Sequence, residues 1–192
     1  MASSATTPFL PPPSSLSQHL QSSTTTLHAP SHPSHLHHLA VTIQHNLRHQ
    51  HSWTSLVIHT HSTLTNLPLP LPRPLISGLP PHRAYIHPDE QAEIIKAEHE
   101  AGGAIALVPE REWVLPTQVG EKWCLRGFAG VFDALENVPP SMEEGSEGEE
   151  REVGWQWRGA NRRKRLLLAT LHDDSTVVYY IVHDGIVKPR QN

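Results

Sequence analysis

The 192-residue chain has a single cysteine, Cys124. No intramolecular disulfide and no multi-cysteine zinc site can form from it, and a buried thiol in a reducing compartment is the expectation. Aromatic residues make up only 6% and hydrophobic residues 37%, too little apolar material for the whole chain to enter a core. No apolar run approaches the ~20 residues of a membrane span, and no basic segment precedes an apolar one near Met1, so neither insertion nor secretion is expected. Residues 1–30 also lack arginine, which argues against a mitochondrial transit peptide. A formal net charge of −4 excludes a surface coated uniformly for nucleic acid, while leaving room for a local basic patch.

Proline (18) and histidine (16) are what the chain has in excess. Residues 1–30 are Ser, Thr and Pro with scattered leucines. Such a segment buries too little apolar area to offset the entropy of ordering it, which predicts a disordered tail ahead of a domain at 31–192. In "HPSHLHHLAVTIQHNLRHQHSW", Leu36, Leu39, Ile43 and Leu47 recur at helical spacing, with Pro33 suited to the first turn. "TSLVIHTH" reads as a strand ending before the proline-broken "LPLPLPRP", and the chain from Gly78 to His87 reads as loop.

"HPDEQAEIIKAEHEAGG" predicts a second helix, with Ile94 and Ile95 facing inward and Gly102-Gly103 ending it. "AIALV" and "EWVLPT" read as two short strands about the turn "PERE". "EKWCLRGFAGVFDALENV" reads as an amphipathic helix stopped by Pro139-Pro140. Six glutamates between Glu143 and Glu152 predict a flexible acidic loop over 140–153. The basic run Arg162, Arg163, Lys164 and Arg165 follows it. Trp155 and Trp157 alternate as in a strand, with both rings on one face. Last come the strands "RLLLATL" and "TVVYYIV", joined by "HDDS". The second is apolar on both faces, as for a strand buried on both sides. The order of elements gives a mixed α/β or α+β domain, of which the α+β form, a mixed β-sheet flanked by helices, is the expectation.

The C-terminal string carries a resemblance. Asp174-Ser175-Thr176, Val178-Tyr179-Tyr180, Asp184-Gly185, Pro189 and Gln191-Asn192, with "VLPT" at 114 to 117 and the first helix before Trp53, resemble the small non-catalytic subunit family of the eukaryotic, fungal tRNA-splicing endonuclease. That subunit partners the catalytic one that cuts the 3′ splice site. The resemblance covers 33 to 192 and is densest after Arg165; residues 78–103 find no counterpart and read as an insertion. It implies the fold of the tRNA-intron endonuclease C-terminal domain, which is restriction-nuclease-like.

It also implies roles. Catalytic relatives use a Tyr, a His and a Lys, sensible as base, acid and cation for attack by a 2′-hydroxyl. Between Ala101 and Leu171 there is neither Tyr nor His, and Lys164 alone near the lysine position leaves the chain with no catalytic residues. The expected interface is Val177, Val178, Tyr179, Tyr180 and Ile181, with Asp173 and Asp174 as an acidic docking loop for the opposite catalytic subunit of a heterotetramer. A homodimer is expected when the chain is alone, contact with pre-tRNA is indirect, and the location is the nucleus, with cytoplasm or the mitochondrial outer surface as alternatives. Arg162, Arg163, Lys164 and Arg165 are candidate RNA phosphate contacts, and a free-standing RNA-binding or nuclease module using them is the alternative function. His45 and His49 lie one helical turn apart, yet no Asp, Glu or Cys stands near to complete a site. A polar helix face outweighs a metal site there, and no metal or cofactor is expected.

Overall fold

A computed structural model describes residues 14–15, 17–18, 32–64, 69–140 and 153–185. The chain divides into two compact units, Met1–Pro30 and Ser31–Asn192. In the first, Ser14 Oγ accepts from the Ser17 N–H at 3.2 Å within a helical turn; the rest of the expected tail lies outside the described residues, as does the acidic loop from 141 to 152.

The second unit contains α1 (Ser34–Gln50), β1 (Thr54–His61), β2 (Pro70–Leu79), α2 (Pro88–Ala101), β3 (Glu112–Gln118), α3 (Leu125–Asp133), two single 3-10 turns (Trp155–Trp157 and Gly159–Asn161), β4 (Arg165–Leu171) and β5 (Val177–His183). The strands form one sheet in the order β1-β2-β3-β4-β5. Every neighbouring pair is antiparallel except β3 and β4, which run parallel and are joined by a crossover that contains α3. This is the expected α+β architecture.

Strand alternation sends successive residues to opposite faces, and each face carries its own core. On one, Leu39, Ala40, Ile43 and Leu47 of α1 pack on Trp53, Leu56, Ile76, Val114, Leu167 and Ala169. Each such buried leucine or isoleucine contributes about 1.5–3 kcal/mol. On the other, Val131 and Phe132 of α3, with Leu135 beyond it, pack on Leu71, Leu75, Trp113, Leu115 and Leu166. The Trp113 indole donates to the Glu136 carbonyl at 3.1 Å, so its buried N–H is satisfied.

Several elements depart from expectation. The prolines of "LPLPLPRP" do not break the chain into loop. Pro70, Pro72 and Pro74 lie in β2, which continues through Gly78 and Leu79, and β2 pairs with β3 only at Ile76, Ser77 and Gly78; Pro68 lies outside the described residues. The proline half therefore has a strand on one side alone, which a residue without an N–H tolerates. "AIALV" forms no strand, and Leu107 and Val108 stand exposed. Ile94 is buried but Ile95, 100° further round the helix, is 57% exposed. α3 starts only at Leu125, with Cys124 as its N-cap, and that thiol is exposed rather than buried. Trp155 and Trp157 lie in a 3-10 turn, not a strand. Pro33 sits just ahead of α1 at the cap position.

Candidate subunit interface

β5 bonds to β4 on one side and, among the described residues, has no strand on the other. Its pairing with β4 is unbroken, from Leu171 with Val177 to Arg165 with His183. The strand is half-buried along its length rather than covered on both faces. Val177, Tyr179 and Ile181 pack toward the α1 core, and Val182 toward the α3 core. The Tyr179 hydroxyl donates to Asn46 Oδ1 at 2.7 Å, its ring meets His51 edge-on at 5.1 Å, and burial pushes its ionisation up. Alternation puts Val178 and Tyr180 on the opposite face, and Tyr180 is 55% exposed. The five predicted interface residues thus fall into two sets. Three are occupied by the chain's own core, and two turn away from α1.

The turn before β5 is closed by the His172 N–H donating to the Thr176 carbonyl at 2.8 Å and the Ser175 N–H to the His172 carbonyl at 3.0 Å, with Ser175 in the left-handed region at φ +69. Asp173 and Asp174 are exposed at its tip. The backbone N–H of Thr176 donates to Asp174 Oδ1 at 3.0 Å. That bond, with help from the Thr176 side chain, holds the Asp174 carboxyl below the usual range.

The basic run is not a four-cation patch. Arg162 and Arg165 are 2% and 5% exposed, drawn into a cluster that also contains Arg83, Glu90, Glu110 and Glu112. Arg162 donates to Glu112 at 3.0 Å and to Glu110 at 3.3 Å. Arg165 reaches Glu110 at 2.9 Å and Glu112 through both Nε and Nη2. Arg83 holds Glu90 through both Nη1 and Nη2 and touches Glu110 at 3.5 Å. Burial works to raise the Glu110 carboxyl, but the Gly159 N–H and the three guanidiniums outweigh it and hold the group below its ordinary value. Three cations face three anions, so the interior charge is compensated. Lys164 donates its ammonium to the Phe132 carbonyl at 3.0 Å. Of the four predicted phosphate contacts, Arg163 alone is exposed.

Outside the window from Ala101 to Leu171, the fold brings a Tyr and a His together. The Tyr85 ring meets His183 edge-on at 4.8 Å, and the Arg165 guanidinium lies 5.2 Å from the same ring. Burial, then the charges of Arg165, His87 and Arg163, lower the His183 pKa. The cation here is committed to two carboxylates, so the trio lacks a charge to counter a phosphorane. Sequence separation of about 100 residues hid it. In the histidine tract, the His45 and His49 rings lie 4.3 Å apart, and no group of three or more metal-binding side chains exists among the described residues.

The sequence is similar to known proteins. It is 50% identical over 159 residues, 82% of this chain and 67% of the relative, to "Probable tRNA-splicing endonuclease subunit tsp-1" of Neurospora crassa. It is 24% identical over 150 residues, 78% of this chain and 80% of the relative, to "Probable tRNA-splicing endonuclease subunit sen15" of Schizosaccharomyces pombe. The family model described as "Sen15 protein" matches residues 42–192, which takes in every strand of the sheet, and the chain therefore belongs to the Sen15 protein family.

Proposed function

We propose that this chain is a structural, non-catalytic subunit of the tRNA-splicing endonuclease, one that pairs with a catalytic subunit through β5 and supports intron excision from pre-tRNA without cutting it. The observation that carries the reading is the free edge of β5. Its pairing to β4 is continuous, its outward backbone groups have no strand partner among the described residues, and Val178 and Tyr180 are turned away from the chain's own helix α1. An edge of that kind adds a strand from another chain, with backbone hydrogen bonds for affinity and side chains for choice of partner. Kinship with proteins named as subunits of that enzyme supports a catalytic subunit as the partner.

In this reading the exposed Asp173 and Asp174 dock on a basic cleft of the opposite catalytic subunit in a heterotetramer, setting partner choice more than affinity. The chain alone dimerises through β5, and it works in the nucleus. Arg162, Lys164 and Arg165 each have an internal partner, which favours an indirect relation to pre-tRNA. Co-expression with the catalytic subunit, followed by size-exclusion chromatography with light scattering, is the test. A stable pair that Tyr180→Asp abolishes is the expected result. A chain that stays monomeric at high concentration and never co-elutes would sink the reading, as would cleavage of intron-containing pre-tRNA by the isolated protein.

A further inference from the structure

The arginines that the fold draws deepest, Arg73, Arg83, Arg162 and Arg165, all face carboxylates. Arg111 is also drawn inward, being half-buried just ahead of β3, and among the described residues it faces none. Its Nη2 donates to the Ser55 carbonyl at 3.1 Å and to the Ser77 hydroxyl at 3.0 Å, both neutral acceptors. Its Nε is buried with no hydrogen-bond partner among the described residues. The carboxylates on either side of it in sequence, Glu110 and Glu112, turn instead to Arg162 and Arg165. The charge of the neighbouring cluster is thus compensated, and that of Arg111 is left over.

Around this cation the sheet supplies further polar atoms. His59 Nε2 and Ser77 Oγ share a hydrogen bond of 2.8 Å, with Ser77 fully buried on β2 and His59 on the edge strand β1. Burial, and after it the charge of Arg111, hold the His59 imidazole down at about 4. Ser55, whose carbonyl accepts from Arg111, is exposed on the β1 side.

We propose that Arg111, with the Ser77 hydroxyl and His59 beside it, forms a binding site for a phosphate oxyanion. The ligand chemistry is a tetrahedral anion accepting from the guanidinium, presented either as an RNA phosphodiester or as free phosphate. The site rests on the surroundings of Arg111 and not on the assembly reading above.

The test follows the Arg111 Nε–Hε signal and the Ser77 amide by nuclear magnetic resonance on the full chain. The titrants, at constant ionic strength, are inorganic phosphate, a short oligoribonucleotide and chloride as control. Saturable shifts with phosphate, weakened about tenfold or more by Arg111→Gln and partly retained by Arg111→Lys, are expected. Arg126→Gln, an exposed arginine on α3, should leave the binding unchanged. Tighter binding of the oligoribonucleotide supports the site and assigns it to RNA. Binding of phosphate without the oligoribonucleotide supports it and assigns it to the free anion. Shifts matched by chloride, or undiminished in a folded Arg111→Gln variant, overturn it.

Discussion

The two edges of the sheet are built differently. β1 pairs with β2 irregularly, with register shifts between Thr54 and Val57 and again between His59 and His61. Ser55 within it is held in the left-handed region at φ +48. β5 pairs with β4 residue for residue over its whole length. Bulges and twists spoil an edge as a template for another strand, whereas a regular edge presents its unpaired amides and carbonyls in a straight row. Both edges carry half-exposed apolar side chains, so hydrophobicity alone does not separate them. Backbone regularity does, and in the proposed reading it makes β5 the edge for pairing and β1 the edge kept from it.

The largest expected effect comes from undermining the strand that carries the good edge. Glu112→Ala leaves Arg162 and Arg165 with Glu110 as the one carboxylate they still share at the start of β4. Loss of one partner of a buried ion pair costs about 3–5 kcal/mol, read as a drop in the urea midpoint with little change in slope. Next come two adjacent tyrosines that separate fold from pairing. Tyr179→Asp places a charge where the ring packs on α1 and should destabilise the isolated chain by about 3 kcal/mol or more. Tyr180→Asp, on an exposed side chain, should change stability by no more than about 0.5 kcal/mol while abolishing co-elution with a catalytic subunit. Equal damage to folding from both would erase the distinction between the two faces of β5.

Smaller effects belong to the turn and to β1. Replacing Asp173 and Asp174 together by Asn should weaken a four-subunit assembly, seen by sedimentation, and spare the pairwise one. For His59 the folded-state pKa, about 4, lies below its ordinary 6.5. The unfolded chain therefore binds more protons between those values, and stability present above pH 6.5 declines as pH falls toward 4. In thermal melts across that range, His59→Gln should flatten the decline. Ser55→Gly should relieve the positive φ and shift stability by no more than about 1 kcal/mol, without opening β1 to pairing.

Much of this was legible in the sequence where one residue type and one period agreed. The α1 stripe of Leu39, Ile43 and Leu47, the β-branched "TSLVIHTH" and the final hairpin were all read with correct type and near-correct ends, because local preference and burial point the same way there. β2 was lost because proline was read as a breaker. What makes it tolerable, the lack of a β3 partner beside Pro70, Pro72 and Pro74, is a fact about pairing that no local window holds. "AIALV" failed in the opposite sense, its β-branched and apolar residues finding no neighbour to pair with. The basic run misled for a similar reason. Arg162 and Arg165 look like a surface patch until Glu110 and Glu112, some 50 residues earlier in the chain, are folded against them. Arg111 raised no signal at all, since its distinction is the absence of a carboxylate in space.

Gly154, just ahead of the 3-10 turns, has φ +82, and a Cβ there would come within 2.5 Å of Glu90 Cγ. Glu90 is itself fixed by Arg83. The backbone at Gly154 is therefore pinned to α2 shortly before Arg162 and Arg165. A side chain at 154 would press on α2 and, through Glu90, Arg83 and Glu110, on the start of β4, so one glycine couples a helix outside the sheet to the strand on which β5 is built.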